Sequence, residues 1–255
     1  MALDYRNTFA EARDAQPTIA LLPIGATERQ GQHLPVGAAT MIVDAVAERV
    51  AEALGEAVYR LPALPFGTSG SHGGTAGTLS LSWSTLMDVI TDIVEALLAQ
   101  GIRKVVVIDS IGGAGEIMTR PRDNYIVKTA VRQLNYDHAE MDVLWVQPFT
   151  AAGVELREIL SAPVDDLHAG ELTTSLLLHL APDLVAPASA DYVPPTGKAY
   201  LDWAPFAALC PDGVWGRPSL ASAEKGRRAL DAAVRGTCAY IRDSFAYLAK
   251  AKGRM

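Results

Sequence analysis

Apolar residues along the chain follow two alternating periods. Short aliphatic runs, Thr18 to Ile24, Val58 to Leu61, Lys104 to Ile108 and Val143 to Val146, predict strands. The run Lys-Val-Val-Val-Ile is β-branched throughout its apolar part, as a strand buried on both faces should be. Between these runs the period changes to that of a helix. Ile42, Val43, Val46, Val50 and Leu54 fall on one face of Met41 to Leu54. A longer stripe of Leu86, Val89, Ile90, Ile93, Val94 and Leu97 opens at Ser82 or Ser84 and stops at Gly101. Further helices are expected at Tyr125 to Leu134, after His168 as far as Leu180, and from Ala221 to Ala249. Strands alternating with helices of this length imply an α/β fold: three α/β/α layers around a mostly parallel sheet. Residues 1–255 read as a single domain.

Composition narrows the partners more than it narrows the fold. Hydrophobic residues make up 49% of the chain, enough for a sizeable core, and no apolar run reaches the length of a membrane span. A formal net charge of -7 supplies no attraction for nucleic acid or an anionic membrane surface. Cys210 and Cys238 stand singly and match neither a zinc spacing nor a redox pair, so two reduced, packed cysteines are expected. The first residues lack the pattern of a signal peptide, and the cytoplasm is the expected compartment.

The irregular stretches carry the chemistry. Between the first strand and a helix that Thr40 would cap lies a Gly- and Pro-punctuated loop holding Glu28, Gln30, Gln32 and His33. In open α/β sheets ligands bind outside the carboxyl ends of the strands, where this loop would sit. A second segment, Leu64 to Thr78, is Gly-rich, contains His72 and lacks the phosphate-binding Gly-Lys-Ser/Thr pattern. Asp109 to Glu116 forms a Gly-rich turn after the third run, and Tyr192 to Pro218 holds five prolines with Trp203 and Trp215. Imidazole and carboxylate groups are the natural carriers of protons near neutral pH.

Five of these segments resemble, in order, the motifs of the creatininase (creatinine amidohydrolase) family. They are Pro23-Ile-Gly-Ala-Thr-Glu28 through His33-Leu-Pro-Val-Gly37; Gly67-x-Ser69-x-x-His72 with Gly77-Thr78-Leu-Ser80; Val105 to Ala114; His168-Ala-Gly-Glu171-Leu-Thr173-Thr-Ser175; and Gly213-Val-Trp-Gly216-x-Pro218 with Ala223-Glu-Lys-Gly226. The resemblance implies a creatininase-like α/β/α domain, assembled as a homo-oligomer, a hexamer in that family. It also implies two divalent metals with a bridging water that opens an amide. Of the ligand positions so implied, Glu28 is kept, while Gln30, Ala39, Ile111 and Thr173 stand where donors are expected. Alanine and isoleucine cannot bind a metal, so the resemblance leads to the loss of the dinuclear centre, with no metal and no cofactor.

What survives is Glu28 and His168, the latter at the position the resemblance links to proton transfer. These two are the expected catalytic pair, with Gln30, His33, His72, Asp109, Glu171 and Trp215 as substrate-contact candidates. Bland readings stand beside them. His33 and His72 could brace loops, Glu171 could serve the first turn of its helix, and Asp165 and Asp166 read as a solvated pair. Three functions remain open. The first is a metal-free enzyme doing acid–base chemistry (cyclisation, dehydration, isomerisation or C–N bond chemistry) on a small nitrogen-containing amide-like substrate. The second is a non-catalytic ligand-binding or structural partner of an active paralogue. The third is an amidohydrolase with a single metal on a rearranged set such as Glu28, His33, His72 and His168.

Overall fold

The computed structural model describes residues 3–55, 58–109, 125–187, 189–197, 200–201 and 203–253. The elements run β1 (Leu3–Asp4), α1 (Phe9–Ala15), β2 (Ile19–Ile24), α2 (Ala38–Leu54), β3 (Val58–Arg60), α3 (Trp83–Ala99) and β4 (Lys104–Asp109). After them come α4 (Tyr125–Asp137), β5 (Asp142–Val146), α5 (Pro148–Ala151), α6 (Gly153–Ile159), α7 (Glu171–Leu180), α8 (Phe206–Leu209) and α9 (Ala223–Ala251). The five strands form one parallel sheet in the order β1-β3-β2-β4-β5.

Side chains alternate across this sheet, and both faces are dry. Leu21 of β2, Val106 and Ile108 of β4, and Leu144 and Val146 of β5 pack toward α2, α7 and α9. Ala20, Leu22 and Ile24 of β2, with Val105, Val107 and Val143, pack toward α3 and α4. Two-sided burial explains why the strands read as unbroken apolar runs instead of alternating ones. The layering is the α/β/α expected from the sequence. No described helix is long and apolar enough to cross a membrane.

Local chemistry sets the helix ends. Ser82, not Ser84, caps α3 by accepting from the Thr85 amide, and Gly101, at φ 86°, ends the turn beyond it. The expected Thr40 cap is corrected. Helix α2 begins earlier, at Ala38, behind Gly37, and Thr40 instead donates its hydroxyl to the Ala26 carbonyl at 2.9 Å. That bond ties the helix to the preceding loop, which a capping side chain could not have done. The short elements β1, α1, α5, α6 and α8 escape a periodicity reading because none spans enough residues to show a period.

The position of β2 decides where a site can form. Its neighbours are β3 on one side and β4 on the other, so the chain reverses direction across the sheet at the end of β2. Strands β2 and β4 end level, Ile24 opposite Asp109. The loop after β2 therefore opens at the switch point of the sheet, where the diverging connections leave room for a ligand.

Candidate functional site

Three segments meet above that point. The loop after β2 is zipped to the Gly-rich segment by backbone bonds, Gly25 N–H to Leu64 O and Leu79 N–H to Thr27 O, both at 2.9 Å. The Arg29 amide adds a bond to Thr78 Oγ1 at 3.0 Å. Within the Gly-rich segment a tight turn, Gly70–His72, presents His72 inward. The third segment is the turn before α7. His168 and Trp215 exchange backbone hydrogen bonds at 3.0 and 2.9 Å, forming a short antiparallel bridge.

This last contact demands glycines. A Cβ on Gly170 would lie 1.8 Å from Asp166 Oδ1 and 3.0 Å from Gly216 Cα, and one on Gly216 would lie 2.8 Å from Gly170 Cα. Two backbones thus pass at a distance that only glycine permits. Next to His168, Ala169 is fully buried and held at φ 51°, a left-handed conformation that non-glycine residues rarely adopt.

The result is a cluster of Glu28, His72 and His168, each offering one donor atom, all within 4.8 Å of one another. His168 Nε2 lies 2.7 Å from the Arg29 carbonyl oxygen. A carbonyl only accepts, so this nitrogen carries the proton and Nδ1 carries a lone pair. That Nδ1 is 3.9 Å from Glu28 Oε1, beyond hydrogen-bond distance. Glu28 Oε1 accepts from the Gln30 side-chain amide at 3.0 Å, while Gln30 Oε1 is buried without a hydrogen-bond partner. His72 Nδ1 is equally orphaned, as are the nearby hydroxyls of Thr68 and Ser69.

Aromatic packing fixes the imidazoles. The rings of His72 and His168 lie 4.5 Å apart, and Phe206 packs against both, tilted against His72 at 4.4 Å and edge-on to His168 at 4.9 Å. Burial removes water from the charged form, and each ring also repels charge on its neighbour. Both effects, with a smaller contribution from Arg29, push His72 down to about 2. Burial likewise holds His168 below the usual histidine range, opposed by the Glu28 carboxylate and the bond to Arg29. At neutral pH the cluster therefore presents two uncharged imidazoles beside Glu28.

Other candidates lie elsewhere. His33 is buried, with Nδ1 2.9 Å from Ser189 Oγ and Nε2 2.8 Å from Thr174 Oγ1; both nitrogens are in use, and it stands outside the cluster. Glu171 is fully buried at the start of α7, accepting from the Ser161 and Ala162 amides and pairing with Lys225. Asp166, read as solvated, is instead 2% exposed and accepts from the Leu172 amide, which anchors the N-terminus of α7; Asp165 pairs at the surface with Arg217. Asp109, buried at the end of β4, accepts from Trp145 Nε1 at 3.3 Å. Trp215 is 2% exposed and reaches the cluster through its backbone bridge to His168 and its contact with Phe206. Ile111 and Glu116 lie outside the described residues.

Sequence reasoning missed Arg29 and Phe206. Arg29 donates to the carbonyls of Pro211 and Cys210 and lies over the Phe206 ring, pinning the Pro-rich segment onto the cluster. Gly213, at φ 75°, makes room, since a Cβ there would come 2.8 Å from Arg29 Nε. No periodicity marks either residue; the glycine was the available signal.

Comparison with known proteins gives the family. The family model for creatininase (creatinine amidohydrolase) matches residues 5–241. The chain belongs to the creatininase family. A mycofactocin precursor peptide peptidase from Mycobacterium ulcerans is 30% identical over 233 residues, covering 87% of this chain and 83% of the relative. The creatinine amidohydrolase of Pseudomonas putida is 29% identical over 247 residues, covering 89% and 90%. A solved mutant creatininase of the Zn-Zn type superposes with a TM-score of 0.78 at 25% identity, covering 96% of this chain and 99% of that one.

The ligand positions that the family resemblance implies carry a different set of side chains here. Among the described residues, the positions where donors were expected hold the Gln30 amide, which donates to Glu28, and Ala39 and Thr173, neither of which belongs to the cluster.

Proposed function

We propose that this chain is an amidohydrolase-like enzyme whose reaction centre is the cluster of Glu28, His72 and His168. In this reading Glu28 and His168 handle the proton, and the two-metal centre plays no part. The observation that carries it is the pair of acceptors 3.9 Å apart, the Nδ1 lone pair of His168 and Glu28 Oε1, with no proton between them. Such a pair takes a proton from a substrate N–H or O–H or from water, and Glu28 then stabilises the imidazolium. Trp215 and Arg29 hold His168 from its backbone and from Nε2, and Gln30 holds Glu28. These three are positioning residues.

The substrate class is a small nitrogen-containing, amide-like molecule. The relatives' names support this level and no finer one, since a creatinine amidohydrolase and a peptide peptidase share the fold. The unpaired Gln30 Oε1 and the Thr68 and Ser69 hydroxyls suit a ligand with both N–H donors and a carbonyl. The proposal takes residues 1–255 as one domain working in the cytoplasm as a homo-oligomer, whose size light scattering would read.

The test is turnover on a panel of lactams, cyclic ureas and short peptides, followed by mass spectrometry. Glu28→Gln and His168→Ala should each remove turnover while circular dichroism stays native. A panel converted equally well by both variants would sink the reading. A folded wild-type chain that binds panel members without converting them would favour the ligand-binding alternative.

A further inference from the structure

Three features of the cluster also suit a bound cation. Two electron-rich atoms, His168 Nδ1 and Glu28 Oε1, face each other at 3.9 Å with no donor between them. A third polar atom, His72 Nδ1, is buried in a residue only 7% exposed and has no hydrogen-bond partner. Leaving a buried polar atom unpaired costs about 1–3 kcal/mol, which a bound ligand can recover. Finally, the partners behind the cluster match what a metal site requires. His168 donates its other ring nitrogen to a backbone carbonyl and Glu28 is held by an amide, the outer contacts that fix tautomer and aim at ligating side chains.

We propose that Glu28, His72 and His168 form a binding site for a single divalent cation of borderline hardness, zinc first. Two imidazoles and one carboxylate are the donor set of many one-metal sites with an open position. Around zinc, donors at about 2.0–2.2 Å lie roughly 3.3–3.6 Å from one another. The trio, within 4.8 Å and with its Glu28–His168 pair at 3.9 Å, needs to contract by roughly 1.5 Å at most. The rings are already held against each other and against Phe206, so little side-chain freedom remains to be lost on binding.

This set is not the two-metal set with most of its members missing. His72 and His168 lie outside the ligand positions that the family resemblance implies, and His33, with both nitrogens engaged by hydroxyls, takes no part. The inference shares residues with the proposed reaction centre, but metal content and turnover are separate readouts. The empty cluster accepts a proton and the loaded one polarises an oxygen, so occupancy decides which chemistry the site can offer.

The test uses untagged full-length protein, stripped with dipicolinate, desalted and equilibrated with cobalt(II) as a visible stand-in for zinc. One cobalt per chain by mass spectrometry is expected, with ligand-field bands that appear on loading and vanish when zinc displaces it. Of the five histidines, two should show contact-shifted ring protons by NMR, a readout that requires no variant. Glu28→Gln and His72→Asn should each weaken cobalt binding tenfold or more. His138→Ala, at a histidine paired with Glu95 away from the cluster, should leave it unchanged. No bound cobalt, two per chain, or one bound at full affinity in both cluster variants would each overturn the proposal. A chain that loads one metal but converts nothing would leave the cation site standing and sink the enzyme reading. Turnover by a chain that refuses metal would do the reverse.

Discussion

Glu171 and Glu28 are both buried carboxylates, and they are treated in opposite ways. Around Glu171 everything is filled: two backbone amides and the Lys225 ammonium saturate its oxygens at the junction of α7 and α9. Glu28 has a single amide from Gln30 and faces a lone pair. The histidines repeat the contrast. His33 has a hydroxyl at each nitrogen, whereas His72 has a buried nitrogen with none. A filled polar group holds the fold together, and an unfilled one spends stability to stay available for a ligand. Residue type alone does not separate the two; the count of partners does.

Breaking one member of each pair is the sharpest test of that contrast. Glu28→Gln should cut kcat by about 10²–10⁴-fold in whichever assay reveals turnover. Because the replacement is isosteric, stability by urea unfolding should move by less than about 1 kcal/mol. Glu171→Ala should do the opposite. It leaves the Lys225 ammonium, 23% exposed, without its carboxylate and two amides without an acceptor, and about 3 kcal/mol should be lost in the same unfolding experiment. Equal stability losses in the two variants would dissolve the comparison.

Gly170→Ala joins the two regions, since this glycine leads from His168 into α7. Its Cβ has no room beside Asp166 and Gly216, so a loss of about 1–3 kcal/mol is expected by thermal or urea unfolding. A displaced His168 should lower kcat beyond what the stability loss explains. If the variant proves as stable as wild type, the close passage at Gly216 is wrong.

A second filled carboxylate gives a pH reading. Hydrogen bonds from Arg6 foremost, and then from Arg60, bring Asp4 down to about 2 against the cost of its burial. Its folded pKa is depressed, so its contribution is present above the unfolded value near 4 and drains away as pH falls toward 2. The amount is on the order of 2 kcal/mol. Unfolding free energy measured between pH 6 and pH 2 should fall less steeply for Asp4→Asn than for wild type. Parallel curves would show that Asp4 contributes nothing.

The smallest effect is expected at His33. His33→Asn should cost about 1 kcal/mol through one lost bracing bond, with kcat changed less than tenfold. A catalytic loss as large as that of Glu28→Gln would move His33 into the reaction centre.

Much of the fold was legible because two-sided burial leaves unbroken apolar strands and one-sided burial leaves helical stripes. Lys104 to Asp109 and the stripe from Leu86 to Leu97 show both. Five ordered motifs, now matched by the family model over residues 5–241, named the family as well. The order of the strands, the early start of α2 and the inward turn of Asp166 could not be read in this way. Each depends on a contact that the pattern of apolar positions does not mark: β2 lying between β3 and β4, the Ala26 carbonyl that takes the Thr40 hydroxyl, and the Leu172 amide that Asp166 accepts from.

By itself the sequence determined which chemical groups are available, and through the family resemblance which residues stand at the implied ligand positions, because those are matters of residue type. Tertiary structure alone decided that His72 joins Glu28 and His168 while His33 and Glu171 do not. The physical reason is that reactivity here depends on unsatisfied valence. Whether a buried nitrogen or oxygen has a partner is settled by what the folded chain brings within hydrogen-bond distance, from far away, as Thr174 for His33, or from two residues on, as Gln30 for Glu28.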